Sequence, residues 1–166
     1  MTSIIKVDNI QNSSGTDAIS IDSSGRMKVG GNKIAWSATL SANQTGYNGQ
    51  TQTEMVIYDN EVYNYGSGYS TSTGLFTAPV KGQYMIFAGY YSSGIAAKQL
   101  WYNLNGSRKV SLMIGDNTFQ YISGSGLVEL DTNDTIGIYA YTDNSSTTIV
   151  SNQYHTFFRG ALIMAY

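Results

Sequence analysis

The single histidine, His155, is the residue type most often used as a general base in enzymes. Asp143 and Ser151 lie near it in the sequence, so an acid, a base and a nucleophile occur within a short stretch. Catalytic triads are recognised by spatial geometry, and nothing in this spacing supports one. We therefore predict a structural role for His155 at the start of the last strand.

Carboxylates in the predicted loops are the second group that could do chemistry. Calcium needs six to eight oxygen ligands, but no ligand loop of the EF-hand type is present. Turn formation explains each aspartate equally well. We expect no cofactor, with calcium as the alternative at Asp116, Asp131, Asp134 and Asp143.

A glycosidase carboxylate pair or a phosphate-binding glycine loop would indicate an enzyme. Glu54, Glu61 and Glu129 are the only glutamates, and none lies in a motif that would assemble the carboxylate pair of a glycosidase. Residues 66–68 and 124–126 read Gly-Ser-Gly, but no helix or lysine follows to form a phosphate cradle. The chain is therefore predicted not to be an enzyme.

Aromatic side chains offer flat apolar faces with polar edges, which suit sugar and protein surfaces. Most of them should be used in the core or between subunits, because folding consumes much aromatic area. Tyr65 and Tyr102 are the two chosen as a candidate ligand surface. The set considered is Trp36, Tyr63, Tyr65, Tyr69, Tyr91, Trp101, Tyr102 and Tyr121.

Composition limits the elements that position these residues. A chain of 166 residues and 18.0 kDa has room for one domain with a core and a short appendage. Charged residues are 12% of the chain, and 18 glycines and 14 tyrosines favour strands and tight turns. The net charge of −2 argues against nucleic acid as a partner, and no cysteine is available for disulfides.

Targeting signals are missing from the sequence. The first eight residues lack the basic and apolar regions of a signal peptide. No run approaches the roughly 18 apolar residues of a membrane span. We expect synthesis and folding in a cytoplasm, without membrane insertion.

Short strands recur about every ten residues, which is typical of a β-sandwich or barrel. Asn105-Gly106 predicts a tight hairpin, because both residues tolerate positive φ. Pro79 lies where a strand should end. The predicted strands are residues 34–40, 54–58, 75–76, 83–91, 98–104, 109–114, 119–130, 135–141, 147–150 and 156–165.

Three of these strands lack the polar alternation of a sheet with one solvated face. Residues 84–91, 136–141 and 157–166 are apolar or aromatic in both phases, with Arg159 the only charge. One face should meet the opposite sheet and the other a neighbouring subunit. The alternative is a thick single-chain core. The residues predicted for the interface with that subunit, or for the core, are Tyr84, Ile86, Phe87, Tyr90, Ile138, Tyr139, Tyr141, Phe158, Leu162, Met164 and Tyr166.

The N-terminal segment, residues 1–32, differs from the domain predicted over residues 33–166. Its short alternating strands carry too few apolar groups to form a core alone, so they need identical chains or a larger particle as partners. The residues predicted to anchor this segment to such partners are Ile4, Ile5, Val7, Ile10, Ile19 and Ile21.

The stretch from Ala35 or Trp36 to the C-terminus resembles the C1q globular-head domain of the C1q and tumour-necrosis-factor superfamily. It departs from that pattern at Tyr58, where phenylalanine is usual, and at Ile86 and Ala88, where aromatic residues are usual. The matching residues are Val56-Ile57-Tyr58-Asp59, Asn64-Tyr65-Gly66, Tyr69, residues 73–79, Gly82-Gln83-Tyr84, Leu130 with Asp134, and residues 158–163.

The resemblance implies an all-β, ten-stranded antiparallel jelly roll that assembles as a homotrimer and serves recognition or scaffolding. Residues 5–12 and 19–27 resemble segments of tailed-bacteriophage fibre and appendage proteins. The leading hypothesis is a trimeric structural protein of the virion surface, such as a capsid decoration or a head or tail fibre, bound to other virion proteins. The alternative is a receptor-binding or adhesin module for a cell-surface glycan or protein.

Overall fold

A computed structural model describes residues 7–15, 17–29, 33–47, 55–93, 98–115, 121–142 and 147–166. The chain divides into two compact units, Met1–Lys33 and Ile34–Tyr166. All regular structure in the described ranges is β-strand, as predicted. Within those same ranges, no helix is long and apolar enough to cross a membrane.

The first unit contains a three-stranded antiparallel sheet formed by β1 (Asn9–Gln11), β2 (Asp17–Ile21) and β3 (Met27–Val29). The turn between β2 and β3 is organised by Asp22, whose Oδ1 accepts hydrogen bonds from the backbone N–H groups of Ser24 and Arg26. Gly25 supplies the positive φ of 75° that this turn requires. Local polar bonds thus shape a sheet that is too small to have a core.

The second unit is a sandwich of two antiparallel layers, one of seven strands and one of five. β9 lies inside one layer, between β12 and β15, and β4 and β6 continue that layer beyond β15. The other layer has the order β11, β10, β13, β8, β7. The strands are β4 (Ala35–Thr39), β5 (Gln44–Tyr47), β6 (Asn60–Tyr65), β7 (Tyr69–Ser70), β8 (Leu75–Thr77), β9 (Gly82–Ser92), β10 (Lys98–Leu104), β11 (Ser107–Gly115), β12 (Tyr121–Leu130), β13 (Thr135–Thr142), β14 (Thr147–Val150) and β15 (Phe157–Ala165).

The predicted antiparallel jelly roll is confirmed, with twelve strands in the described part of the second unit. Among them β14 was predicted, as residues 147–150, whereas β5, β6 and β7 were not. The strand predicted over residues 54–58 is wrong. Its described part forms only an isolated bridge between Met55 and Tyr139, and the regular strand is Asn60–Tyr65. The reason is that Val56 and Tyr58 both bury their side chains in the core, whereas β6 supplies the backbone ladder beside β4.

The core lies between the two layers and is rich in aromatic rings. Trp36 of β4 stacks on Phe76 of β8, and Phe158 meets the Trp36 ring edge-on at 5.3 Å between centroids. Gly160 lies beside Trp36, where a Cβ atom would overlap the indole ring. The indole therefore requires a residue without a side chain at this point of β15.

The predicted hairpin at Asn105-Gly106 is present between β10 and β11. Both residues have positive φ, 50° and 77°, as the two central positions of a type I′ turn require. The hairpin brings the long strands β10 and β11 together and makes β11 the edge of its layer.

Candidate interaction surfaces

β9 has one buried face and one surface face. Tyr84, Ile86, Ala88 and Tyr90 are fully buried in the sandwich, whereas Phe87 is 45% exposed. The prediction of a second apolar face is therefore correct, but the thick single-chain core is not found. Phe87 lies on the outside of the subunit.

Register places further apolar residues beside Phe87. Met85 is opposite Leu127 of β12 on one side and Ala161 of β15 on the other, and cross-strand partners share a face. Tyr63 and Tyr65 of β6 extend this surface beyond β4, and their rings stack at 5.4 Å. We call it the aromatic face, composed of Tyr63, Tyr65, Met85, Phe87, Phe157, Arg159 and Ala161.

A shallow cavity of about 380 Å³ lies in the aromatic face, lined by Tyr63, Phe87, Phe157, Arg159, Gly160 and Ala161. Among the described residues that line it, Arg159 is the only charged one. The guanidinium carbon lies 4.6 Å from the centroid of the Phe157 ring, within the range of a cation–π contact. The cavity thus offers an apolar floor with one cation at its border.

A second apolar surface lies at the edge of the sandwich, where β11 and β12 come together. Leu112 packs against the glycines of β12, since a Cβ on Gly126 would lie 3.2 Å from a Leu112 methyl group. Three apolar side chains of β11 are about half exposed or more. Val110 and Met113 pair with Tyr102 and Leu100 on one face of the strand, and Ile114, at 66%, pairs with Gln99 on the other. We call these exposed side chains of β11 the edge patch, composed of Val110, Met113 and Ile114. Leu127 of β12 lies opposite Met85 and borders the aromatic face.

The edge patch was not selected from the sequence. Residues 109–114 were predicted as a strand, and Val110, Leu112, Met113 and Ile114 make it apolar in both phases. The same lack of polar alternation that marked 84–91 was therefore present in a shorter form.

The residues predicted for the trimer interface or core fall into three places. Tyr84, Ile86, Tyr90, Ile138 and Phe158 lie in the core of the subunit. Tyr139 and Tyr141 alternate with the core residues of β13 and so face outward from the other layer. Phe87 lies on the aromatic face, Leu162 packs partly against the core, and Met164 and Tyr166 are exposed near the C-terminus.

The two tyrosines predicted as a ligand surface behave differently. Tyr65 is exposed on the aromatic face. Tyr102 is only 7% exposed and belongs to the core, so the prediction of a ligand surface there is wrong. The physical reason is its register, because Tyr102 pairs with the buried Ile138 and points between the layers with it.

His155 is packed between aromatic rings. Its ring lies 4.6 Å from Tyr121 and 6.2 Å from Tyr91, centroid to centroid. Ser151 donates its hydroxyl hydrogen bond to the Leu40 carbonyl oxygen, and Asp143 lies outside the described residues. The described geometry gives His155 a packing role.

The turn between β12 and β13 is held by its own carboxylates. Asp134 accepts hydrogen bonds from the Asn105 amide at 2.7 Å and from the Asp131 backbone N–H at 2.9 Å. The Asn105 bond is the larger cause that lowers the pKa of Asp134, followed by the Asp131 N–H. Asp131 in turn forms an ion pair with Lys81 at 2.8 Å.

Side chains that could bind a metal ion are scattered over the described ranges. No group of three or more histidine, aspartate or glutamate residues lies together there. Asp116, Asp143 and Glu54 lie outside those ranges. Asp131 and Asp134 use their oxygens within the turn, as turn-forming aspartates do.

The sheet of the first unit has one apolar face. Ile10 pairs with Ile19, and Ile21 pairs with Met27, so these four side chains share a face opposite Asn9 and Ser20. Ile10, Ile21 and Met27 are about half exposed or more, as is Val7. Ile4 and Ile5, which were also predicted to anchor, lie outside the described residues.

The second unit matches a known family. A model of the C1q domain matches residues 35–163. The globular domain of zebrafish complement 1qA protein superposes with a TM-score of 0.59 at 19% identity, covering 81% of this chain and 100% of that one. Murine APRIL gives 0.58 at 12% identity, over 79% and 99%. Eiger TNF from S. frugiperda gives 0.58 at 9% identity, over 82% and 96%.

Proposed function

The chain belongs to the C1q domain family over residues 35–163, and from this premise we propose that it is a non-enzymatic, trimeric structural protein of a phage virion surface. C1q-like domains are generally non-enzymatic and commonly form homotrimers. The jelly roll would face outward, and the first unit would dock on other virion proteins. The specific role is that of a capsid decoration or a head or tail fibre.

The observation that carries the proposal is the presence of two different apolar surfaces on one subunit. A twofold interface uses the same patch on both partners, whereas a ring of three needs two unlike patches that fit each other. The aromatic face is broad and contains a shallow cavity. The edge patch leaves Val110 53% and Ile114 66% exposed. Seating the edge patch of each copy on the aromatic face of the next closes a ring and covers both surfaces.

The amount of apolar surface supports assembly rather than a free monomer. Phe87, Leu127 and Ile114 each expose 45% or more of their area on the single chain. Burying apolar surface contributes about 25 cal/mol per Å². A contiguous exposed patch of large apolar side chains marks an interaction site in soluble proteins.

The first unit supports attachment to a larger particle. Its sheet exposes Ile10, Ile21 and Met27 on one face, and three strands of three to five residues cannot bury that face by themselves. The same segment carries the resemblance to phage fibre and appendage proteins. This combination favours docking of the first unit on virion proteins, with the assembled protein exposed at the virion surface after synthesis in the host cytoplasm.

A second candidate function is recognition of a host-surface glycan or protein. The observation in its favour is Tyr154, which is 75% exposed and lies outside the aromatic face. Exposed tyrosines suit sugar and protein contacts. In this case the trimer would act as a receptor-binding tip.

The location is tested by electron microscopy of the parent particle with antibodies raised against the second unit. We expect labelling at threefold-symmetric sites on the capsid or tail, and density for the first unit against a virion protein. Intact particles that carry no label, with the protein recovered only from the infected cell, would contradict a virion role.

A further inference from the structure

Arg159 lies between two cavities of different character. One is the cavity of the aromatic face, and the other, of about 330 Å³, is lined by Thr39, Asn60, Val62, Gln153, Tyr154 and Arg159. We call this second cavity the polar cavity, and Arg159 is the one charged residue in the described part of its lining. The two cavities therefore share a single cation.

The guanidinium of Arg159 has unused hydrogen-bonding capacity. Its Nε is buried without a hydrogen-bond partner in the described part of the chain. Its Nη2 reaches the Gln153 carbonyl oxygen only at 3.5 Å, the outer limit of a hydrogen bond. Arg159 lines the polar cavity, and its enclosed Nε cannot reach a ligand there. An acceptor from outside the chain would therefore meet the Nη groups, which carry four of the five guanidinium N–H donors.

The chemistry of the polar cavity restricts that acceptor. A guanidinium presents two parallel N–H donors, which match the two oxygens of a carboxylate. A lone arginine balances one negative charge, whereas phosphate ligands usually meet several cations or a nest of backbone N–H groups. The acceptor that fits best is a monovalent carboxylate.

The remaining lining groups suit a sugar. Thr39, Asn60 and Gln153 bring a hydroxyl and two amides, and Asn60 donates to the Thr39 hydroxyl at 2.8 Å. Tyr154 borders the cavity with an exposed ring on which a sugar face can pack. Hydroxyl-binding groups and a flat ring thus surround the single cation.

We propose that the polar cavity binds an acidic saccharide, with the carboxylate of a hexuronate residue on Arg159 and its ring against Tyr154. The inference rests on the proposed function. In the proposed trimer the aromatic face lies beneath the neighbouring copy, and the polar cavity lies at the rim of that interface. A polar rim around an apolar centre is the usual arrangement of an interface.

Titration calorimetry of the full-length protein tests the site, with oligogalacturonate as the probe and a neutral cello-oligosaccharide of equal length and sodium acetate as comparisons. We expect binding of oligogalacturonate, weakened by added salt, and at least ten-fold weaker binding of both comparisons. Equal binding of acidic and neutral oligosaccharides, or none of either, would overturn the proposal. If neither oligosaccharide binds, the acceptor for Arg159 would be a carboxylate of a protein partner instead.

Variants of the cavity residues distinguish a loss of saccharide binding from a loss of trimer assembly. Arg159→Gln should weaken oligogalacturonate binding about ten-fold or more, the loss expected for a charged hydrogen bond. Tyr154 and Gln153 do not line the cavity of the aromatic face. Tyr154→Ala and Gln153→Ala should weaken oligogalacturonate binding several-fold. Lys33→Gln, which removes an exposed cation elsewhere, is the control and should leave binding unchanged. Mass measurement in the same samples separates the outcomes: a trimer that does not bind refutes this site alone, and a monomer refutes the assembly.

Discussion

The indole of Trp36 and the ring of Phe76 stack at 3.7 Å with their planes 10° apart, and this contact joins the two layers of the sandwich. Trp36 belongs to β4 and Phe76 to β8, and both are buried. Gly160, on the strand next to β4, leaves the space that the indole fills. The layer spacing therefore depends on a residue without a side chain.

Gly160→Ala should destabilise the second unit. The added methyl group would overlap Trp36 and lie 2.8 Å from the Met85 carbonyl oxygen, which is part of the backbone and cannot move aside easily. We expect a loss of about 1–3 kcal/mol in the free energy of unfolding, the range for overpacked cores. Chemical denaturation monitored by tryptophan fluorescence measures it.

The matched control is Gly126→Ala. Its added methyl group would meet only the end of the Leu112 side chain, at 3.2 Å. We expect a smaller loss than for Gly160→Ala. Equal losses would contradict the role assigned to the Trp36 contact.

Tyr102 and Tyr65 should respond differently to truncation. Tyr102→Ala empties a core position and should lower the free energy of unfolding by about 3–5 kcal/mol, as for large aromatic residues in cores. Tyr65→Ala removes an exposed ring and should change the stability of the unassembled subunit by about 0.5 kcal/mol or less. Urea titrations of both variants measure these changes in the free energy of unfolding. A larger loss for Tyr65→Ala than for Tyr102→Ala would show that Tyr102 is not a core residue.

Acid should weaken the turn between β12 and β13 through Asp134. Hydrogen bonds from Asn105 and from the Asp131 N–H lower the pKa of Asp134 in the folded state. The stabilisation is therefore present above the pKa of the unfolded chain, about 3.9, and is lost as the pH falls through the lower folded value. Asp134→Asn should reduce the change in unfolding midpoint between pH 7 and pH 3.

The size of this effect is limited by solvent, because the Asp134 carboxylate lies in an exposed turn. The comparison is made by thermal denaturation at both pH values for the natural chain and for Asp134→Asn. An unchanged pH dependence in the variant would assign the acid sensitivity to other carboxylates, such as Asp59, which accepts hydrogen bonds from Ser41.

Calcium removal should leave the protein unchanged. Asp131 and Asp134 direct their oxygens to Lys81, Asn105 and the backbone. We expect the same melting temperature and the same mass with a chelator and with millimolar calcium. A higher melting temperature in calcium would point to ligands that include Asp116 or Asp143.

Most of the jelly roll could be predicted from the sequence, because turn chemistry and strand length are local properties. Asn105-Gly106 marked the hairpin, and positive φ at both residues is what the turn uses. Residues 54–58 were misassigned because burial and ladder pairing occur on different segments. Val56 and Tyr58 carry the apolar signal, whereas β6, with mostly exposed side chains, pairs with β4.

The interaction surfaces could be predicted only in part. A strand apolar in both phases predicted that β9 has two apolar faces, but not that Tyr84 points inward and Phe87 outward. That assignment depends on register with β12 and β15, which local sequence does not contain. The exposure of Tyr102 was predicted wrongly for the same reason. The unpaired Nε of Arg159 depends on the surrounding tertiary structure, so the sequence alone does not predict it.

The edge patch should be required for assembly. Ile114→Asp introduces a charge that would be buried against the aromatic face of the next copy, at a cost of roughly 3–5 kcal/mol for each interface. We expect this variant to be folded and monomeric. Thr132→Asp, which adds the same charge in the exposed turn after β12, should remain assembled.

Sedimentation equilibrium of the natural chain at micromolar concentration tests the ring of three most directly. Three chains of 18.0 kDa predict a mass of about 54 kDa that falls to one chain in Ile114→Asp. A mass of 18.0 kDa for the natural chain, or a trimer that persists in Ile114→Asp, would contradict the seating of the edge patch on the aromatic face.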